Sequence, residues 1–246
     1  MKLFKRTHNP FEIEGEKTLH KNLEFTALEQ YKLLRANLEF TIPAGTKCPV
    51  IGVTSSVRGE GKSVTSINLS FVLAETGSKV LLIDGDLRLP TVAKKMGLES
   101  TPGVSNMLID QCAKSLEEFK SDILDTWYIL PSGDIPPNPS ELLGSARMGA
   151  LLDSLREHFD YIVIDLPPVN IVSDALSVSD MTTGMLVVVR EKYTEKKELR
   201  RCYRQLKMAN ANVLGCVLSG VDSAGTKYYK YRKYRYYKYY KYSDYL

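Results

Sequence analysis

From about residue 50 onward, short runs that are apolar at nearly every position alternate with longer stretches in which apolar residues return every three or four positions. The short runs fall at 50–54, 79–84, 127–130, 161–165, 185–189 and 213–218. A strand that is apolar throughout, rather than at every second position, is buried on both faces, as strands of a parallel sheet are. The longer stretches, around 62–76, 141–158 and 194–209, have helical spacing. Together these patterns predict βαβ units and an α/β fold: a doubly wound, mostly parallel sheet with helices on both faces.

The pattern changes at both ends. Residues 1–25 are polar and mixed in charge, and they predict an irregular arm. Thr26 followed by Glu29 has the form of a capping box. Leu28, Tyr31, Leu34 and Leu38 then form one helical stripe that should stop near Pro43 and Gly45. From residue 226 to the end, tyrosine alternates with lysine and arginine, with no aliphatic residue before Leu246. Such a segment cannot build a core and is expected to be a disordered, low-complexity tail. The division expected is therefore an arm (1–25), one domain (26–225) and a tail (226–246).

Composition narrows the class. The 246 residues are 43% hydrophobic and 25% charged, ordinary values for a globular protein. No run approaches the roughly 20 apolar residues of a membrane helix, and the first residues lack the apolar core of a secretory signal. A cytoplasmic location is expected. Four scattered cysteines and three isolated histidines argue against a disulfide framework or a protein-ligated metal cluster. The net charge is +4, but residues 227–246 hold seven Lys/Arg against one Asp, leaving 26 basic and 28 acidic residues elsewhere. Because the basicity belongs to the tail, no nucleic-acid partner is expected.

Ligands of doubly wound sheets bind beyond the C-terminal ends of strands, and the motifs fall there. Ser56-Val-Arg-Gly59-Glu-Gly61-Lys62-Ser63 follows the first strand and opens a helix, matching G-x-x-x-x-G-K-[ST] except for Ser56. Its glycines can turn backbone N–H groups onto phosphate oxygens, the helix N-terminus adds its dipole, Lys62 reaches phosphate and Ser63 ligates Mg²⁺. The nucleotide-binding set is Arg58, Gly59, Glu60, Gly61, Lys62, Ser63 and Val64. Two further strands end in carboxylates, one at Asp84 and Asp86, the other at Asp165. One carboxylate can hold a metal while another accepts a hydroxyl proton.

These motifs, in this order, resemble the bacterial tyrosine kinases of capsule and exopolysaccharide synthesis, the BY-kinases. The likeness rests on the P-loop, on Asp84-Gly-Asp86-Leu-Arg88-Leu-Pro90 as a D-x-D-x-R-x-P motif, on Asp165, on the Pro-Asn-Pro segment within 133–143, and on the tyrosine cluster. The chain has neither H-R-D nor D-F-G, the marks of eukaryotic-type kinases. The resemblance implies ATP and Mg²⁺ as cofactors and a catalytic set of Lys62, Asp84, Asp86 and Arg88. Ser63, Asp86 and Asp165 would serve the metal. Asp84 would activate the tyrosine hydroxyl, with Asp84 and Asp86 able to exchange roles. The acceptors would be Tyr228, Tyr229, Tyr231, Tyr234, Tyr236, Tyr237, Tyr239, Tyr240, Tyr242 and Tyr245. Glu29, Lys32 and Arg35 match the family's E-x-x-R-x-x-R oligomerisation motif, with Lys32 replacing an arginine, so a ring-like homo-oligomer is implied. Also implied are a membrane-spanning adaptor from a separate chain that recruits the kinase to the inner face of the membrane, and a cognate tyrosine phosphatase. Ser219 stands where the family has an asparagine that contacts the base. The main rival reading is a nucleotide-switch ATPase of the partitioning or septum-positioning type. Those proteins carry a signature lysine where this chain has Val57. A scaffold that binds ATP only for structure is a third reading.

Overall fold

The computed structural model describes residues 23–110, 112 and 115–221. Most of the expected arm and the whole tyrosine cluster, Tyr228 to Tyr245, lie outside the described residues. Six strands, β1 (Val50–Ser55), β2 (Val80–Asp84), β3 (Trp127–Leu130), β4 (Tyr161–Asp165), β5 (Gly184–Arg190) and β6 (Val213–Ser219), form one sheet in the order β3-β2-β4-β1-β5-β6. Every pairing in it is parallel. The apolar runs thus mark the strands to within one or two residues.

Alternate residues of each strand point to opposite faces, and the core divides accordingly. On one face Ile51, Val53, Leu82, Trp127 and Val163 pack against α1 (Phe25–Thr41) and α2 (Lys62–Ala74), with Val92 of α3 (Val92–Met96) beside them. On the other, Val50, Leu81, Leu130, Ile164 and Val187 meet α4 (Val104–Leu108), α5 (Pro139–Leu143), α6 (Ala146–Arg156), α7 (Asp174–Ser177) and α8 (Lys196–Met208). β6 closes the described sheet at one edge and is only half covered.

Two local expectations need correction. The helix expected over 141–158 is broken into α5 and α6. Ser145 caps α6, its Oγ accepting from the Met148 amide at 3.3 Å, and a Cβ on Gly144 would lie 3.1 Å from Ser177, so α7 packs closely on the break. The Thr26–Glu29 capping box does not form: α1 already starts at Phe25, Glu24 is its N-cap without a side-chain bond, and Glu29 pairs with Lys32 instead. Helices α3, α4 and α7 have four or five residues, too few to show a period in the sequence.

Two glycines are fixed by close approach. A Cβ on Gly103 would sit 2.2 Å from the Gly133 amide nitrogen and the Pro131 carbonyl oxygen, both backbone atoms, whereas a Cβ on Gly52 would meet the Met185 sulfur at 2.4 Å, the end of a flexible side chain. Gly52→Ala should cost about 1–3 kcal/mol, the usual range for overpacking, and Gly103→Ala clearly more, since backbone cannot step aside. Urea denaturation of both variants checks the order; equal midpoints would contradict it.

Candidate active site

The P-loop leaves β1 and turns through Gly59 (φ 79°) and Gly61 (φ 93°) into α2. Those left-handed conformations are open to glycine at little cost. None of the backbone N–H groups from Arg58 to Ser63 donates to a protein acceptor among the described residues. A row of free N–H groups at a helix N-terminus is an anion site.

The loop is fastened from behind by the fully buried Glu60 side chain. Its carboxylate accepts from Ser56 Oγ at 2.9 and 3.0 Å, from the Val57 amide at 2.8 Å, and from the Thr194 hydroxyl. Ser56, the departure from the glycine pattern, is therefore matched by a partner in the same loop. Glu60 cannot offer its side chain to nucleotide; only its amide is available. Three residues without a motif complete the fastening. Arg190 Nη1 donates to the Gly59 carbonyl at 3.0 Å, Tyr193 Oη to the Arg58 carbonyl at 3.1 Å, and Ser219 Oγ to the Glu60 carbonyl at 2.5 Å.

The carboxylates converge because β2 and β4 are neighbours in register, with Asp84 opposite Asp165 at the strand ends. The Gly85 amide donates to the Asp165 carbonyl at 2.8 Å, and a Cβ on Gly85 would come within 3.0 Å of that oxygen. Lys62 turns into this cluster, its Nζ 2.8 Å from Asp86 Oδ2, 3.9 Å from Asp165 Oδ2 and 3.5 Å from Ser63 Oγ. Burial disfavours the Lys62 charge, but Asp165 and Asp86 more than restore it, and its pKa rises. Burial pushes Asp165 upward against the pull of Lys62. Asp84 is pushed up to about 7 by burial, with the Asp165 charge adding to the rise.

The three aspartates have different partners. Asp84 turns into its own loop: Oδ2 accepts from the Thr91 and Val92 amides at 3.1 and 3.0 Å, and Oδ1 from the Asp86 amide at 3.3 Å. It organises the turn and the start of α3. The expectation that Asp84 activates the hydroxyl meets this obstacle, whereas Asp86 faces Lys62. Asp165 accepts from Ser66 Oγ at 3.2 Å through Oδ1, while its buried Oδ2 has no hydrogen-bond donor. An orphaned carboxylate oxygen beside Asp86 and the Ser63 hydroxyl is a hard-oxygen environment that suits Mg²⁺. Among the described residues no group of three or more His, Cys, Asp or Glu side chains forms a metal cage by itself.

Arg88 does not point at Lys62. It makes a bidentate pair with the fully buried Asp174, Nε to Oδ2 at 2.9 Å and Nη2 to Oδ1 at 3.1 Å, and Nη2 also donates to Ser140 Oγ at 3.2 Å. This joins the aspartate loop, the start of α5 after the Pro-Asn-Pro segment, and the first residue of α7. Asp174 escaped notice in the sequence because it belongs to no spaced motif. On α1, Lys32 pairs with Glu29 at 3.0 Å, and Arg35 Nη1 folds onto the Val72 carbonyl at 2.6 Å. Those three side chains are thus engaged within their own chain. A separate open groove of about 970 Å³ lies at the other end of the sheet, bordered by Pro49, Lys79, Arg156 and Phe159; no motif residue reaches it.

A family model described as an AAA domain matches residues 48–213. Tyrosine-protein kinase YwqD of Bacillus subtilis is 36% identical over 194 residues, covering 78% of this chain and 80% of its own. Tyrosine-protein kinase CpsD of Streptococcus pneumoniae is 34% identical over 218 residues, covering 85% and 91%. The chain belongs to the bacterial tyrosine-protein kinases. Among solved structures, the chimerical protein CapA2B2 aligns with this kinase at TM-score 0.75 and 31% identity, over 83% of this chain and 89% of the other. The septum site-determining protein MinD of Pyrococcus horikoshii, complexed with Mg-ADP, aligns at TM-score 0.57 and 25% identity over 70% of each chain. The rival architecture is thus a more distant neighbour.

If Arg88 and Asp174 act as one clamp, Arg88→Ala and Asp174→Ala should each lower kcat by about 10- to 100-fold through misplacement of the Asp86 loop. The double variant should be no worse than the worse single one. Kinetics of the three variants would show this, and multiplicative losses would mean the two residues act separately.

Proposed function

We propose that this kinase transfers the γ-phosphoryl group of ATP to the tyrosines of its own tail, in trans between copies, and so regulates capsule or exopolysaccharide synthesis. The observation that carries the reading is the convergence of Lys62, Asp86 and the orphaned Asp165 oxygen in front of a row of free P-loop amides. Ten tyrosines in the last 19 residues supply acceptors. Arg58 to Val64 bind the phosphates, and Lys62 leaves Asp86 to neutralise charge on them. Ser63 and Asp165 hold Mg²⁺, which lends its charge to the phosphoryl group when bound. Asp86 accepts the phenolic proton as the tyrosine oxygen bonds to phosphorus and ADP departs; Asp84 keeps that loop in place. The relative named CapA2B2 is a chimera, which supports a second, adaptor component. We assign that role to a membrane-spanning partner that brings the kinase to the inner face of the membrane. A cognate phosphatase resets the tail, and Glu29, Lys32 and Arg35 exchange their internal partners for a neighbour in a ring.

Lys62→Met should abolish autophosphorylation with the fold intact, as judged by an anti-phosphotyrosine blot and circular dichroism. More than a few per cent of wild-type signal would remove Lys62 from the mechanism. A blank blot from the wild-type chain with Mg·ATP and its adaptor would favour the ATPase or the scaffold.

Asp165→Asn deletes one carboxylate charge at the ion. The Mg²⁺ concentration needed for half-maximal ATP binding should rise about tenfold, since a charged ligand near phosphate contributes a kcal/mol or more. An unchanged Mg²⁺ titration would take Asp165 out of the metal site.

A further inference from the structure

Basic charge in this kinase is gathered in two places. Of its 33 Lys and Arg, seven lie in residues 227–246 and six in α8, which leaves 20 elsewhere against 27 of the 29 acidic residues. The six in α8 are Lys196, Lys197, Arg200, Arg201, Arg204 and Lys207, and all are exposed. Leu199, Cys202 and Leu206 hold the opposite side of the helix to the core. The basic residues recur at intervals of three and four, so they form one continuous stripe. Among the described residues only Lys197 has an ion pair, with Glu195 at 3.1 Å. Glu198, the one acidic residue of the helix, is turned to the Asn170 side chain at 3.0 Å. Like charges at helical spacing oppose the helix that carries them. Apart from Glu195 at Lys197, no ion pair among the described residues offsets this row.

The place where the tail begins supplies an occupant. Ser219, at the end of β6, and Thr194, just before α8, both bond to Glu60. The chain therefore leaves the described domain beside the first turn of α8. From Val221 to Tyr228 is seven residues, a reach of about 23 Å, and α8 is about 20 Å long. The tail tyrosines can lie anywhere along the stripe. Unmodified, residues 227–246 carry +6 and are repelled by it. Each phosphotyrosine adds about −1.5 to −2, so three or four of them cancel the tail's charge and any more reverse it.

We propose that α8 is the receptor for the kinase's own phosphorylated tail, with Arg200, Arg201 and Arg204 gripping phosphotyrosine. This rests on the autophosphorylation proposed above. Guanidinium groups pair with phosphate through two parallel hydrogen bonds, and the tether keeps the tail at high effective concentration. Phosphorylation then does two things at once: it makes the tail a poor companion for the aspartate cluster and gives it a seat on the outside of the domain. An anionic membrane is the competing occupant of a basic helix. It is less favoured because α8 spends its aliphatic side on the core and shows outward only Tyr203 and Met208 as large apolar groups, too little to insert.

The test uses full-length, unphosphorylated kinase without ATP and a fluorescent synthetic peptide of residues 227–246 carrying phosphotyrosine at 236, 237, 239 and 240. Anisotropy should show salt-sensitive binding of this peptide and none of its unmodified counterpart. Arg200→Ala and Arg204→Ala, mild changes on an exposed face, should each weaken binding about threefold. The triple variant with Arg201→Ala should weaken it about 20-fold. Equal binding by wild type and triple variant, or equal binding of the two peptides, overturns the proposal. So does loss of binding to phosphatidylserine vesicles in the triple variant with peptide binding intact, which would make the stripe a membrane contact. Because the peptide is phosphorylated by synthesis, the result stands apart from whether the kinase modifies itself; a blot decides that separately.

Discussion

The partly buried Lys62 ammonium faces more carboxylate than it can neutralise. Lys62 lies among Asp86, Asp165 and, one turn behind, Asp84, in a space where uncompensated charge is expensive. The protein meets the excess in three ways. Asp86 is given to the lysine, Asp84 is pushed toward its neutral form by burial and the Asp165 charge against the pull of its backbone amide donors, and Asp165 keeps one oxygen without a donor. The last of these leaves the site short of one positive charge. The Mg·ATP proposed above would supply that charge, and its phosphates would compete with Asp86 for Lys62.

The sheet makes this cluster possible. β1, β2 and β4 are adjacent and parallel, so their C-terminal ends coincide and the P-loop and both acidic loops emerge side by side. Parallel order also explains why the chemistry sits at one end and the open groove at the other. Around the cluster, two sets of side chains bind the loops together. Glu60, with Ser56, Thr194 and Ser219, stiffens the P-loop from inside, and the Arg88–Asp174 pair ties three further segments together.

Strands were legible because burial on two faces leaves an unbroken apolar run, and the phosphate loop because its glycines and lysine have a fixed spacing. The short helices were not, since one turn has no period. Nor was the break at Gly144, which answers to the packing of α7, a contact between residues 33 positions apart (144 and 177). Within the site, Lys62, Ser63, Asp86 and Asp165 were found by motif. Asp174, Arg190 and Tyr193 were not, because each works through a partner distant in sequence and a lone residue after a strand carries no pattern. Motif logic left Asp84 and Asp86 able to exchange roles, and it gave no sign that Asp84 accepts from the Asp86, Thr91 and Val92 amides.

Ser219 gives the architecture a mechanical side. The final strand of the described domain is bonded to the nucleotide loop at the point where the chain departs toward its tail. Tension reaching Ser219 would be shared between the Glu191 amide, which holds its carbonyl, and the Glu60 carbonyl, which holds its hydroxyl. The handle of this protein is attached at its grip on phosphate, so a pull at the far end is felt where the nucleotide would be held.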